Sequence, residues 1–533
     1  MKCQKTLTNK AGLFDITFAI VAAGVILRLY FFFLKRSLWL DEVYLSTGII
    51  NNSFTELLTK PLPFYQKAPL GFLMAEKSVI GLFTANEFTL RLFPLLCAIA
   101  ALLMFVPVAR FFLNKNMVWL AVAIFALAPP LIYHSAEAKQ YSTELLATVL
   151  VIYFFIKTLA GKLKVVWLAL AGAVLIWFSY PVVFILAGVG LFLFFKALKE
   201  RNINLLVSCC LVILIWVVSF GINYFGFTHK HVESQWTLFW FDYYGFFMPS
   251  SVKGLEWLPT RLYRMLDYPL GLWWNFFKTG NDILQPLSTL AFVPAALFIA
   301  GFYFYVLKDR LLLLFFLSPV VLMLAASMLH LYPVSERFWV FIAPLFILII
   351  AKGWELVSGK IKNRAVKIII PLLLLTGPVV NDIILILHQD RFMKQKNSSQ
   401  RQALDLVQQH YKPGDIVYVY WNANAGYNLY TRLYNYTFPA IRGKDYRFES
   451  NNYNEYFNKL KNDTGPPEGK KRIWLIFNYT FQSDIGEGID VPSWYFNTQK
   501  PTDNVVNMFA QQGRQVLSYK KFDTHVYCFE IKH

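Results

Sequence analysis

Ser37-Leu38-Trp39-Leu40-Asp41-Glu42-Val43-Tyr44 stands directly behind a strongly apolar run, residues 13–33, and brings two adjacent carboxylates to the point where that run ends. Twenty or so apolar residues are enough to cross a bilayer, so the run reads as a spanning helix. Ionisable groups at a membrane boundary are costly to desolvate, and a purely structural segment tends to avoid them there. Asp41 and Glu42 are therefore read as functional, with Asp41 a candidate general base. No small-x-small cleavage site precedes Arg28, so the expectation is a retained span and not a removed leader.

The composition extends that reading to the whole chain. Of 533 residues, 56% are hydrophobic and only 16% charged, which suits a polytopic membrane protein and not a string of soluble domains. Apolar runs recur at 13–33, 89–113, 117–133, 142–156, 165–180, 182–195, 205–225, 288–306, 311–329, 338–350 and 368–387, so about eleven helices are expected. Lys and Arg total 51 against 32 Asp and Glu, a formal charge of +19. The positive-inside rule accounts for that excess better than nucleic acid does.

Alternate loops carry the basic residues: Lys2, Lys5 and Lys10, then Arg110 with Lys115, Lys157 to Lys164, Lys196 to Arg201, Lys308 with Arg310, and Lys352 to Lys367. These are expected to be cytoplasmic, with the N-terminus. The opposite set, 34–88, 134–141, 226–287 and 330–337, is more aromatic and holds the acids of interest. An odd number of spans places the C-terminus outside, so the expected domains are a membrane domain, 1–387, and an outer α/β domain, 388–533. The latter shows strand-like runs at 415–421, 472–478 and 525–531 between helical ones at 399–411 and 504–512. Three of the five cysteines (Cys97, Cys209, Cys210) lie in apolar segments, and Cys3 and Cys528 stand alone. Neither a disulfide framework nor a CxxC metal site is indicated.

Within the first outer loop, 42–58 and 69–83 have apolar residues at helical spacing, as interfacial helices do, and would hold Asp41 and Lys67 against the membrane surface. In the second, Glu137, Lys139 and Tyr141 are read as opening the next helix, with Glu137 and Tyr141 on one face. The last places Arg337 at a helix entrance, where snorkelling to the interface is the structural alternative. The loop 226–287 is crowded with aromatics (Trp236, Trp240, Tyr243, Tyr244, Trp257, Trp273, Trp274) around Asp242; an aromatic belt is its default reading.

The chemistry that suits these groups is glycosyl transfer from a lipid phosphate. A carboxylate takes the proton of an attacking hydroxyl, carboxylates stabilise an oxocarbenium-like transition state, and fixed cations meet the charge growing on a phosphate leaving group. The candidates are Asp41, Glu42 and Glu137 as catalytic acids, Lys67, Arg337 and Lys139 for the phosphate, and Tyr44, Tyr141, Tyr332 and His330 for the substrate. No metal site is assigned, although Asp41, Glu42 and Glu137 could ligate a hard divalent cation.

Trp39-Leu40-Asp41-Glu42, Gln66-Lys67-Ala68-Pro69-Leu70, Glu87…Leu90-Arg91-Leu92-Phe93-Pro94, Ala128-Pro129-Pro130…Glu137-Ala138-Lys139-Gln140-Tyr141 and Tyr332-Pro333…Arg337…Pro344 together resemble the GT-C superfamily of integral membrane glycosyltransferases. The likeness is to the protein O-mannosyltransferase and lipid A aminoarabinose transferase group, in detail over roughly the first third of the chain. It implies a catalytic base at Asp41, a second acid at Glu137 and a carrier-phosphate contact at Lys67. It further implies an undecaprenyl- or dolichyl-phosphate-linked donor and an outer C-terminal domain. The chemistry itself, one displacement at one face, inverts the anomeric centre, so the expected function is inverting transfer to a glycan, lipid or protein acceptor on the outer face of the cytoplasmic membrane. The family more often carries Arg at Lys139 and Pro-Pro at Ala68-Pro69. Two other classes remain open. A transporter or flippase of lipid-linked glycans would keep its ionisable groups near the midplane, often with internal repeats; a scaffold with an outer binding domain would leave Asp41 dispensable.

Overall fold

The computed structural model describes residues 11–231, 245–249, 251, 254, 256–275, 288–389, 396–464, 472–481, 492–496 and 500–531. The N-terminal Lys2, Lys5 and Lys10, and Trp236, Trp240, Asp242, Tyr243 and Tyr244 of the long loop, lie outside them.

The chain opens with α1 (Ala11–Phe33), followed by three shorter helices, α2 (Leu40–Asn51), α3 (Phe54–Thr59) and α4 (Leu70–Leu82). Then come α5 (Thr89–Phe112), α6 (Val118–Leu127), α7 (Pro129–Ser135), α8 (Tyr141–Leu159), α9 (Val165–Leu175), α10 (Val182–Lys199) and α11 (Ile203–Gly226). Further helices cover Phe292–Lys308, Arg310–Met328, Ala343–Lys360, with a 3-10 lead-in from Glu336, and Arg364–Leu387. Among the described residues eight helices are long and apolar enough to cross a membrane, nine if the bent pair α6–α7 counts as one span. The hydropathy reading expects about eleven; the other two runs, at α9 and Phe292–Lys308, form helices of 11 and 17 residues, short of the ~20 a bilayer asks for. Large apolar side chains stand outward on these helices, such as Leu214, Val217 and Phe225 on α11 and Leu387 at the end of the last one. Lipid, not water, is the solvent that tolerates such a surface. The chain is a mostly helical integral membrane protein.

Two details show how the bundle is held. Pro129 and Pro130 cannot donate to the carbonyls of Phe125 and Ala126, and the helix bends by 55° at that point. The buried Arg28 guanidinium on α1 supplies the missing donors, to Ala126 at 3.0 Å and Phe125 at 3.3 Å. An ionisable residue inside a span is thereby explained as a repair of freed backbone. Helices Phe292–Lys308 and Ala343–Lys360 touch backbone to backbone: a Cβ on Gly301 would fall 1.9 Å from the Ile349 carbonyl oxygen, and one on Gly353 1.8 Å from that of Leu297.

After Leu387 the chain folds as a small α/β unit. Its sheet runs in the order β2 (Ile441–Arg442), β1 (Ile416–Val419), β3 (Arg472–Asn478), β5 (Thr524–Ile531), β4 (Gly513–Lys521), the first three parallel and the last pairings antiparallel. Helices Gln400–His410, Asn424–Tyr434, Tyr453–Thr464 and Pro501–Ala510 pack on it. The unit is seated on the segment between α1 and α2. The Leu38 amide donates to the Tyr430 hydroxyl at 2.7 Å, and the Ser37 hydroxyl to Gln402 at 2.6 Å. Arg401 pairs with the buried Glu87 at 2.9 Å and donates to the Lys35 carbonyl at 2.8 Å. Leu38, Val43, Tyr44 and Leu90 share one apolar cluster with Leu404, Val407 and Tyr430. Arg401→Met removes the only cation paired with Glu87 among the described residues. It is expected to cost about 1–3 kcal/mol, read as faster protease cleavage between the two units of the purified protein; an unchanged cleavage rate would count against this docking.

Candidate active site

Asp41 and Glu42 occupy the first turn of α2, where carboxylates complement the helix dipole. One residue apart on a helix, they point to different neighbours. Asp41 is buried, with Lys139 Nζ 2.9 Å from one oxygen and Arg337 Nη1 2.5 Å from the other. Lys139 Nζ also donates to Gln66 Oε1 at 2.6 Å. The turn before α8 and the 3-10 turn at 336–342 thus meet at the carboxylate that starts α2, and the loop before α4 joins them through Lys139. Burial alone would push the Asp41 carboxyl up, but Lys139 and Arg337 outweigh it and hold it below the usual carboxylate range. Burial also lowers the Lys139 ammonium, against the pull of Asp41.

Glu42 makes a two-pronged ion pair with Arg91, Nε to Oε1 at 2.8 Å and Nη2 to Oε2 at 2.7 Å. Its oxygens also accept from the Ala138 amide at 2.7 Å and the Trp39 amide at 3.2 Å. Arg91 in turn donates to the carbonyls of Arg36 and Ser37. Both Glu42 oxygens are taken up by the scaffold, so Glu42 ties α2, α5 and the 136–140 turn together.

That turn corrects one sequence expectation. Glu137 and Lys139 do not open the next helix, which begins at Tyr141. The Lys139 amide closes a tight turn onto the Glu137 carbonyl at 2.8 Å, and Glu42 captures the Ala138 amide, so the intervening backbone is held out of the helix. The result is that Glu137 and Lys139 point into one site. Glu137 accepts from His134 Nδ1 at 2.6 Å, the Tyr133 hydroxyl at 2.9 Å and Trp39 Nε1 at 3.1 Å. Against burial, His134 and Lys396 keep its carboxyl well below the usual range. With Nδ1 donating to Glu137, the other His134 nitrogen faces the Tyr268 hydroxyl as an acceptor.

Arg337 lies over the rings of Phe338, Tyr141 and Trp39, at 5.4, 5.8 and 6.0 Å. Tyr141 therefore belongs to the cluster, and Tyr332 stands one step away, its hydroxyl donating to the Phe338 carbonyl at 3.0 Å. The other two substrate candidates make their ring contacts elsewhere: Tyr44 stacks on Phe64 at 4.2 Å, and the exposed His330 packs against Phe247. Lys67 is half-buried beside Gln66, and burial pulls its ammonium below the usual lysine value. The Tyr180 hydroxyl fixes its neighbour Ala68 through the carbonyl at 2.8 Å.

Sequence reasoning assigned no role to His134, Tyr268 or Lys396. Arg91 carried a signal, a charge three residues into a span; Lys396 carried none. Among the described residues no group of three or more His, Cys, Asp or Glu is arranged to hold a metal ion. Asp41 and Glu42 already face Lys139, Arg337 and Arg91, cations that a divalent ion would have to displace.

Apolar helices with an acidic loop after the first span, and an α/β unit docked on that loop, define a polytopic membrane protein with the GT-C fold. No family model and no curated protein matches the sequence. Among solved structures, the fold is similar to that of ArnT from Cupriavidus metallidurans, crystallised with undecaprenyl phosphate: TM-score 0.50 at 10% identity, covering 96% of this chain and 97% of that one. It is also similar to the Archaeoglobus fulgidus oligosaccharyltransferase in its apo form, with TM-score 0.51 at 13% identity over 89% of this chain and 70% of that one. Both are GT-C superfamily proteins, and the likeness is one of fold.

Proposed function

We propose that this protein is an inverting glycosyltransferase that moves a sugar from a polyprenyl-phosphate carrier to an envelope glycan, lipid or protein. The observation that carries the reading is the setting of Asp41: a buried carboxylate held between a lysine and an arginine, with the second carboxylate of Glu137 in the same cluster. ArnT, of similar fold, binds undecaprenyl phosphate, which supports a polyprenyl-phosphate carrier here.

In this mechanism the acceptor hydroxyl oxygen attacks the anomeric carbon, the bond from that carbon to the phosphate oxygen breaks, and its electron pair leaves with the polyprenyl phosphate. The hydroxyl proton passes to Asp41. Bound by two cations, Asp41 is a weak base at rest. As charge grows on the leaving phosphate, Arg337, whose side chain keeps 23% exposure and further N–H donors, turns toward it. Each N–H withdrawn from Asp41 raises its proton affinity as the proton comes off. Lys139, fully buried and shared with Gln66, holds Asp41 in place, and Lys67 meets the carrier phosphate. Glu42 positions the site through Arg91, and Glu137 orients Trp39 and His134. The transporter reading is less favoured, because the acids of the cluster, Asp41, Glu42 and Glu137, lie at the start of a short helix and in the turn before Tyr141, not inside the spans.

Mass spectrometry of envelope lipids, glycans and proteins from cells with and without the protein tests this. One acceptor is expected to lose one sugar mass in the deletion strain, and an unchanged profile would remove the reading. The alternation of basic loops supports a site and a C-terminal unit outside the cytoplasm. A reporter fused after Ile531 is then expected to be active only there; cytoplasmic activity would overturn that topology.

A further inference from the structure

Lys396 comes from the segment that joins the membrane helices to the C-terminal unit, and its ammonium is buried inside the site. Nζ lies 5.4 Å from the Tyr133 ring centre, 5.7 Å from Trp39 and 5.9 Å from Tyr268. These are the rings that flank Glu137 and His134. Among the described residues no group accepts a hydrogen bond from this nitrogen. Glu137, Glu336 and Asp41 attract it through space, and Arg337 repels it. Asp41 is bonded to Lys139 and Arg337, and Glu137 to His134, Tyr133 and Trp39.

Aromatic faces attract a desolvated ammonium. Its three N–H donors still lack an acceptor, and a buried charge left unsatisfied is destabilising. A lysine retained only for packing would reach water with its head; this one does not. The arrangement suits a cation that awaits an anion.

We propose that the Lys396 ammonium binds the phosphoryl oxygens of the polyprenyl-phosphate carrier, so that this residue, just ahead of the C-terminal unit, completes the active site. The proposal rests on the transferase reading above and adds a substrate contact to it. It explains why the C-terminal unit is fastened to the Asp41 segment through Arg401, Gln402 and Tyr430: Lys396 lies five residues before the first of these, so the same docking carries it to the site.

The test uses the purified full-length protein in nanodiscs, with undecaprenyl phosphate, undecaprenol and inorganic phosphate as probes. Lys396→Met keeps the stem and removes the charge. It is expected to raise the melting temperature of the ligand-free protein, because an unsatisfied ammonium is gone, and to weaken undecaprenyl phosphate at least tenfold without changing undecaprenol. Lys396→Arg is expected to restore binding to within about threefold of wild type. If Lys396→Met binds undecaprenyl phosphate as wild type does, the assignment is wrong while the transferase reading stands. Weakened inorganic phosphate with unchanged carrier affinity would place the ammonium at a different anion and also overturn it. A wild-type protein that does not prefer the phosphate to the alcohol would remove both readings.

Discussion

Asp41→Asn is expected to lower sugar transfer by roughly 10²–10⁴-fold, the range a general base contributes, while the protein still accumulates in the membrane. Asparagine keeps the shape and one acceptor oxygen but cannot take the hydroxyl proton. It also leaves Lys139 and Arg337 without a counter-charge, so some loss of thermal stability accompanies the loss of rate. Comparing product formation per mole of folded protein separates the two effects. Carrier binding should survive or tighten, since both cations become available to phosphate. The sign of the pH dependence follows from the depressed carboxyl. Asp41 stays ionised below the usual carboxylate range, so the acid limb of the wild-type rate should fall at a lower pH than that of a free aspartate. A variant that transfers sugar at the wild-type rate would mean that Asp41 is not the base, and would bring the scaffold reading forward.

Arg91→Met should act on folding and not on chemistry. It leaves Glu42 buried with only two amide donors, and breaking a buried pair of this kind costs about 3–5 kcal/mol. The expected readout is a large fall in melting temperature, with loosening of the loop from Arg36 to Glu42. Glu42→Gln alone keeps the packing and should cost less. The double variant, Arg91→Met with Glu42→Gln, should recover part of the loss, because no unpaired charge remains. If Glu42→Gln instead abolished transfer at full stability, Glu42 would belong to the chemistry beside Asp41, and the positioning role would fall.

Much of this protein is written locally in its residues. Long apolar runs dictate helices that lie in lipid, because a backbone in hydrocarbon must satisfy its own hydrogen bonds. The strands at 415–421, 472–478 and 525–531 announce a sheet after Leu387, and the structure places strands at Ile416–Val419, Arg472–Asn478 and Thr524–Ile531. Asp41 and Glu42 stood out by position alone, at the end of a span. What the local pattern did not contain was the division of labour between them. Arg337 and Lys139 meet Asp41 from 296 and 98 residues away, and Arg91 meets Glu42 from 49.

Hydropathy is a property of neighbours along the chain, so sequence was enough to find the spans and the acidic segment. Ion pairing and caging depend on which distant backbones come within about 3 Å. Only the tertiary structure could decide that Glu42 braces the scaffold and that Arg28 repairs a broken helix. It alone brings Lys396, from an unremarked polar stretch, under the rings of Trp39, Tyr133 and Tyr268.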